Sequence, residues 1–133
     1  RSEQYQEVML RMTDGGFNQL AADAIRGDQS LTDLQVRQFY FYAVTVLRIF
    51  EETHRQWCEG TIAADRWESS RRTLAGLMRG AGYKACYAIL RGNLDSQFAV
   101  LLDDMVRAAV DAQPLDLPAM WRAEVAKVGA TTA

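Results

Sequence analysis

The sequence is poor in the residues that build metal centres and disulfide frameworks. Its 133 residues include one histidine and two cysteines, Cys58 and Cys86, which form no CxxC pair. Two isolated thiols fit a reducing compartment better than a disulfide-stabilised secreted domain. With a single histidine, one chain also lacks the second Glu-x-x-His motif of a dimetal helical bundle.

Prolines and long apolar segments are scarce as well. The chain has two prolines, and its run FYFYAVTVL, residues 39–47, stays uncharged until Arg48. A membrane-spanning helix needs about 20 apolar residues, and no signal-peptide pattern is present. Because the chain begins at Arg1 rather than Met, we expect any membrane contact to come from a segment upstream of Arg1.

The composition is that of an ordinary folded domain whose charge is unevenly placed. Hydrophobic residues make up 49% of the chain and charged residues 24%, which argues against global disorder. The net charge is −2, yet residues 65–91 carry six basic and two acidic groups. Residues 92–118 carry Arg107 against five aspartates. This dipolar layout is the strongest global feature of the sequence.

One long helix dominates the pattern of apolar residues. Thr32 and Gln35 have the spacing of a capping box, and no glycine or proline follows until Gly60. Between them, apolar and aromatic residues recur at alternating steps of four and three: Val36, Tyr40, Ala43, Leu47, Phe50, His54 and Trp57. Other apolar residues, Phe41 among them, fill the flanks of this stripe. The pattern predicts a central helix over residues 32–59 that is buried on most sides.

Shorter helices are predicted on both sides of it, at residues 2–12, 17–25, 64–78, 83–91 and 97–110. Asp14-Gly15-Gly16 is predicted to break the first helix, with glycines in a positive-φ turn. Pro118 opens a last helix with Trp121, Val125 and Val128 on one side. We therefore predict a single all-α domain over residues 1–133, a bundle of five to seven helices. Its residues 113–133 would form a linker, a short helix that closes the bundle, and a loose tail, GATTA.

The stretch EETHRQWC, residues 51–58, is the candidate for site chemistry. Glu51 and His54 are three residues apart, and His54 and Cys58 are four apart, so all three share one helical face. They are candidate metal ligands, and His54 with Cys58 is a candidate base and nucleophile pair. Because a structural zinc needs four ligands, we expect no metal and interpret His54 as the polar end of the apolar stripe. A second chain would have to supply the other half of any site.

Five basic residues form a candidate surface for an anionic partner: Arg71, Arg72, Arg79, Lys84 and Arg91. They could meet an acidic protein, anionic lipid or nucleic-acid phosphate. The favoured alternative is intramolecular, with the acidic helix at residues 95–113 lying against the basic segment 66–91. We do not expect nucleic acid as a partner, because the net charge of the chain is negative.

Four aromatic residues of the long helix form a candidate ligand pocket: Phe39, Tyr40, Tyr42 and Trp57. Such a pocket would make the domain a sensor or binding bundle for a small molecule. Aromatic residues at helical spacing are also what a packed core requires, so the pattern alone leaves both interpretations open.

A family resemblance rests on the positions Phe50-Glu51, Gln56, Gly60, Trp67 and Phe98. Over residues 30–106 the sequence resembles a loose group of uncharacterised bacterial all-helical domains. Many of these look like cytosolic domains behind one N-terminal transmembrane helix, which implies an anchor upstream of Arg1 here. The group has Tyr or another residue where this chain has His54, and the resemblance implies no catalytic residue.

These patterns favour a non-enzymatic interaction or scaffold domain that binds a protein partner or a second copy of itself. The small-molecule sensor is the second hypothesis, and a metal- or thiol-dependent enzyme at residues 51–58 is the third. We expect no cofactor. We expect a cytoplasmic location, with tethering to the inner membrane if an anchor precedes Arg1.

Overall fold

The computed structural model describes residues 2–132, except for the side chains of residues 2, 9, 11–13, 131 and 132. Within this part of the chain the regular structure is helical and contains no strand. The helices are α1 (Ser2–Thr13), α2 (Gly15–Ile25), α3 (Asp33–Cys58), α4 (Ala64–Leu77), α5 (Ala81–Leu90), α6 (Ser96–Ala108) and α7 (Leu117–Thr132), with a 3-10 turn at Arg91–Asn93. The predicted all-α fold of five to seven helices is confirmed.

The long central helix forms where the sequence predicts it. At its start the Thr32 hydroxyl accepts the Gln35 N–H at 3.2 Å, and Gln35 Oε1 accepts the Thr32 N–H at 2.9 Å. After its end Gly60 has φ +76°, the left-handed conformation that glycine adopts without strain. The 26 residues of α3 give it a length of about 39 Å. It contacts α1, α2, α4 and α5, and we refer to α1–α6 as the bundle.

The centre of the bundle is an apolar cluster contributed by α3, α4 and α6. Its largest fully buried side chains are Leu47, Leu74, Met78, Phe98 and Leu102. α2 and α5 extend the cluster with further buried residues. Burying a side chain of this size stabilises the fold by about 1.5–3 kcal/mol, so this cluster fixes the helices to one another.

The crossing of α2 and α5 depends on glycine. A Cβ atom at Gly82 would lie 2.1 Å from the Ala24 carbonyl oxygen, and one at Gly80 would lie 2.7 Å from Ile25 Cγ2. The interior is close-packed, so a side chain at Gly82 would push the two helix backbones apart. The glycines of this corner therefore set how closely α2 and α5 approach.

The break between α1 and α2 differs from the prediction. Gly15 and Gly16 lie in the first turn of α2 with ordinary negative φ, and the turn does not use a left-handed residue. Asp14 instead caps α2, its Oδ1 accepting the Phe17 N–H at 3.0 Å. Because a capping carboxylate satisfies a free donor of the next helix directly, the chain turns here without a positive φ.

The start of α3 is more exposed than predicted. Val36 and Phe41 face solvent, although the apolar pattern predicts burial on most sides of the helix. The first turns of α3 extend beyond the packed cluster, and residues 32–34 and 36–38 are all exposed. At the other end His54 is buried, while Trp57 is partly exposed.

α7 departs furthest from the prediction. Residues 129–132 are helical rather than a loose tail, and Ala133 lies outside the described residues. Alanine is the best helix former, and the alanines around Gly129 carry the helix through it. Nor does α7 close the bundle, since residues 115–130 are all exposed and Trp121 is 64% exposed. The predicted packing of Trp121, Val125 and Val128 on the bundle is therefore wrong.

Candidate functional site

Glu51 joins α3 to the start of α6. Its Oε1 accepts Arg48 Nη1 at 3.0 Å, and its Oε2 accepts the Asp95 N–H at 2.7 Å. Arg48 also donates to the Asn93 carbonyl at 3.0 Å. Both oxygens of Glu51 are thus engaged in holding the turn between α5 and α6.

His54 lies among aromatic rings near the same end of α3. Its ring centroid is 5.1 Å from that of Trp67 and 5.6 Å from that of Phe98. Trp57 stacks on Trp67 with centroids 5.5 Å apart. Burial lowers the pKa of His54 below its usual range, and the Asp95 carboxylate opposes this shift. The lowered pKa favours the neutral imidazole, which packs among these rings as an aromatic side chain.

Cys58 is exposed and lies one turn after His54. Its Sγ is 3.7 Å from Nε2 and 4.0 Å from Nδ1 of His54. Nearly equal distances to both nitrogens place the sulfur off the lone-pair direction of either, so this contact is not a directed hydrogen bond. Of the three predicted metal ligands, the structure brings His54 and Cys58 together and engages Glu51 elsewhere. Across the described residues, no group of three or more His, Cys, Asp or Glu side chains could hold a metal ion.

An open cleft of about 620 Å³ lies beside this stretch, between the second half of α3 and residues 92–97. Its charged lining residues are Arg48, Glu51, Glu52, Arg55, Glu59 and Asp95. Arg55 pairs with both Glu52 and Glu59, and Arg48 pairs with Glu51. Two guanidinium groups against four carboxylates give the cleft a net charge of −2, so it does not favour an anionic ligand, and the paired carboxylates are engaged within α3 and with residue 95.

The four residues of the predicted aromatic pocket do not line one cavity. Phe39 is buried in the core, while Tyr40 packs edge to face on the exposed ring of Phe41. Tyr42 lines a groove of about 460 Å³ between α1 and α3. Trp57 follows Phe39 by 18 residues, which separates them by about 27 Å along α3. The small-molecule hypothesis therefore lacks the shared pocket on which it depends.

The basic segment meets the acidic helix α6 through Arg91. Its Nε and Nη2 donate to the two oxygens of Asp103 at 3.0 and 2.7 Å. The Tyr87 hydroxyl donates to the Ala99 carbonyl at 2.7 Å and also contacts Asp103 Oδ1. Arg91 holds the pKa of Asp103 well below its usual range, while burial and the Asp103 carboxylate raise that of Tyr87 to about 12. Arg91 thus serves an intramolecular contact.

Lys84 and Arg79 hold the chain that leaves α6. Lys84 Nζ donates to a backbone carbonyl at the end of α6 at 2.7 Å, where the helix dipole favours a cation. Arg79 Nε donates to the Gln113 carbonyl at 2.9 Å. A Cβ atom at Gly76 would lie 2.9 Å from Leu115 Cδ1, so the linker rests directly on α4. These contacts fix the point on the bundle from which α7 begins.

Arg71 and Arg72 share one acidic partner on α4. Glu68 Oε1 accepts Arg71 Nη2 at 2.6 Å and lies 3.9 Å from Arg72 Nη1. Arg71 is the larger influence that lowers the pKa of Glu68. One carboxylate between two guanidinium groups leaves one positive charge unmatched at this position.

A groove of about 690 Å³ runs between α4 and α6, beside these arginines. Its charged lining residues are Arg71, Arg72, Arg79 and Asp104, and its other lining residues are Ala75, Gly76, Leu101, Met105, Ala108, Ala109, Ala112 and Leu115. We call it the α4/α6 groove. Sequence reasoning identified its arginines but missed the groove. The available signal was the run of small residues on both helices, which keeps the space between them open.

Comparison with known proteins adds no family. No protein-family model, curated protein or solved structure matches this chain. The resemblance over residues 30–106 therefore stays a prediction. Among the helices that the structure describes, none is long and apolar enough to cross a membrane.

Proposed function

We propose that this chain is a non-enzymatic interaction domain that associates with a second copy of itself through α7. The supporting observation is that α7 exposes five bulky apolar side chains: Leu117, Met120, Trp121, Val125 and Val128. Contiguous apolar patches larger than a few hundred Å² are uncommon on monomeric proteins and mark contact surfaces. A helix with this exposed surface needs a partner to cover it.

The spacing of these residues is that of a helix that packs on another helix. Leu117, Trp121, Val125 and Val128 lie within about 80° of one another around the helix axis, and Glu124 lies between this set and Met120. The opposite side is lined by small residues: Ala119, Ala123, Ala126 and Ala130. Both sets repeat at steps of three and four, as core positions of paired helices do. We call the bulky set the α7 stripe.

The size of the α7 stripe fits a weak dimer. Each of its side chains exposes on the order of 100 Å², so the stripe offers about 500 Å² per copy. Two stripes packed together would bury about 1,000 Å², just below the range of about 1,200–2,000 Å² for stable interfaces. Since area at this limit leaves little surplus over the entropy lost on association, we expect a micromolar dissociation constant.

The other two hypotheses draw less support from the geometry. The sensor hypothesis needs Phe39 and Trp57 in one pocket, and they lie near opposite ends of α3. The enzyme hypothesis rests on His54 and Cys58, whose contact lacks the direction of a nucleophile and its base.

Sedimentation velocity tests the proposal over protein concentrations from about 1 to 200 μM. We expect the weight-average mass to rise from monomer towards dimer in this range. Trp121→Glu should keep the chain monomeric, because it places a charge in the middle of the α7 stripe. Ile89→Glu is the matched control, since Ile89 is an equally exposed apolar residue on α5.

Two results would contradict self-association through α7. One is a mass that stays monomeric throughout the series, and the other is a dimer that survives Trp121→Glu. Neither variant should change the melting temperature of the bundle at low concentration, because both residues are exposed.

A further inference from the structure

We infer that the α4/α6 groove binds an acidic amphipathic helix of a partner protein. The inference uses residues of α4, the turn that follows it and α6, and none of α7, so it holds whether or not α7 pairs with a second copy. It combines a charged rim and an apolar floor, which two independent sets of residues supply.

The rim of the groove is positive on a chain that is negative overall. Glu68 is shared by Arg71 and Arg72, and Asp104 on the opposite side pairs with Arg107 of its own helix. Arg79 donates to a backbone carbonyl and so keeps its full charge. The four guanidinium groups and two carboxylates around the groove thus carry a net charge of +2, against −2 for the whole chain. Complementarity therefore favours an acidic partner.

The floor of the groove is apolar and lined largely by small side chains. Ala75 on α4 and Ala108 on α6 line it with small side chains, Leu101 and Met105 supply larger apolar contacts, and Leu115 of the linker covers Gly76. Small residues allow a backbone to approach closely, and a helix laid in such a groove anchors through apolar residues at i, i+3, i+4 and i+7. A free anion would use the arginines and leave this floor uncovered.

The positions of the positive charges along the groove favour a helix over a polyanion as the partner. Arg71, Arg72 and Arg79 follow one side of the groove, which matches acidic residues on one flank of a partner helix. Nucleic acid and anionic lipid present a wide field of negative charge, and the rest of this chain is acidic. A partner helix with an apolar stripe and glutamates beside it satisfies both the rim and the floor.

The test uses three synthetic peptides of about 18 residues, or five helical turns, labelled with fluorescein. The first contains leucine, alanine and glutamate, with a leucine stripe flanked by glutamates. The second has the same composition in an order that destroys the stripe. The third replaces each glutamate by lysine. Fluorescence anisotropy against the full chain should show binding of the first peptide alone, weakening as salt is added.

Variants of the groove separate its rim from its floor. Arg71→Glu with Arg72→Glu should raise the dissociation constant for the first peptide by about tenfold or more. Ala108→Trp, which fills the floor without changing charge, should have an effect of similar size. The controls are Arg66→Glu on the same helix and Ala88→Trp on α5, both at exposed positions, and they should leave binding unchanged. Melting curves check that each variant is folded, and Arg71→Gln with Arg72→Gln replaces the double glutamate variant if that one is not.

Several outcomes would overturn the inference. The first is that the first peptide does not bind, and the second is that the peptide without a stripe binds equally well. The third is that the control variants lose as much affinity for the first peptide as the groove variants do. Binding of the chain to phosphatidylserine vesicles that is lost in the Arg71/Arg72 variant, without peptide binding, would assign the rim to a membrane surface instead. Trp121→Glu should still bind the first peptide, which keeps this test distinct from that of α7 pairing.

Discussion

Trp67 in α4 and Trp121 in α7 place the same residue type in two opposite environments. Trp67 is 5% exposed and packs against both His54 and Trp57, whereas Trp121 is 64% exposed. Both tryptophans belong to helices with an apolar side in the sequence. Apolar spacing in the sequence thus shows that a helix has an apolar face. It does not show which other surface, in the same chain or in a partner, covers that face.

The connections before the two helices explain the difference. α4 follows α3 after a loop of residues 59–63, so it returns alongside α3 and buries Trp67 against it. α7 follows residues 109–116, which are held against α4 by Arg79 and Leu115. The linker covers α4 at Gly76, and α7 begins beyond it with its residues exposed and without cover from the bundle.

The largest contrast between the two regions is expected for aromatic truncation. Phe98→Ala should lower the free energy of unfolding by about 3–5 kcal/mol, because Phe98 is fully buried and its loss leaves a cavity. Trp121→Ala should lower it by less than about 0.5 kcal/mol in the monomer. Urea denaturation at low protein concentration measures both, and an equal loss would mean that α7 packs on the bundle.

Glycine substitution should give a smaller contrast of the same kind. Gly82→Ala should destabilise the fold by about 1–3 kcal/mol, because its Cβ would collide with the Ala24 carbonyl and force α2 and α5 apart. At Gly129 a Cβ meets nothing within 4 Å among the described atoms. Gly129→Ala should instead strengthen α7 by up to about 1 kcal/mol.

Urea denaturation for Gly82→Ala and far-ultraviolet circular dichroism for Gly129→Ala check this pair. A stable Gly82→Ala protein would show that the α2–α5 crossing is looser than the structure has it. An unchanged helical signal in Gly129→Ala would show that residues 129–132 are not part of α7.

The smallest contrast concerns two ion pairs and their dependence on pH. Arg91 lowers the pKa of Asp103 in the folded state, so this contact stabilises the fold above the ordinary carboxyl range, near pH 4. The stabilisation is lost as pH falls through the lower pKa of the folded state. Asp103→Asn should therefore have a lower melting temperature than the wild type at pH 7, and this difference in melting temperature should decrease towards pH 2.

Glu124→Gln in α7 is the control for this pH series. Glu124 and Lys127 form an exposed pair within one helix, and such pairs contribute little to stability. We expect this variant to have the same melting temperature as the wild type at every pH. A gap for Asp103→Asn that stays constant down to pH 2 would contradict the ion pair as its cause.

The sequence was sufficient for the local features of the fold. The start of α3 is set by Thr32 and Gln35, and its end by Gly60, through interactions within a few residues. Their spacing alone therefore predicts both ends of the helix. The burial of His54 was also predictable, because it occupies a position in a regular apolar stripe. These inferences succeed because local hydrogen bonds and helical periodicity determine them.

Features that depend on contacts between distant segments were not predictable in the same way. The exposure of α7 follows from where Leu115 and Gln113 meet α4, and the α4/α6 groove follows from small residues on two helices meeting across a gap. The engagement of Glu51 with Asp95 likewise joins residues 44 apart. The spacing of residues in a single sequence does not indicate which distant segments meet. The structural role of the candidate ligand Glu51 could therefore not be predicted.

The fixed start of α7 determines how a dimer would present its grooves. Each α7 is about 24 Å long and begins beside the α4/α6 groove of its own bundle, so pairing would carry two grooves on one particle. A partner with two acidic helices on a linker matched to that span would bind bivalently. Its second contact would form at an effective concentration in the millimolar range, and avidity would exceed the single-site affinity by about 10²–10⁴-fold. Self-association would then act as a concentration-dependent switch between weak and tight capture of the partner.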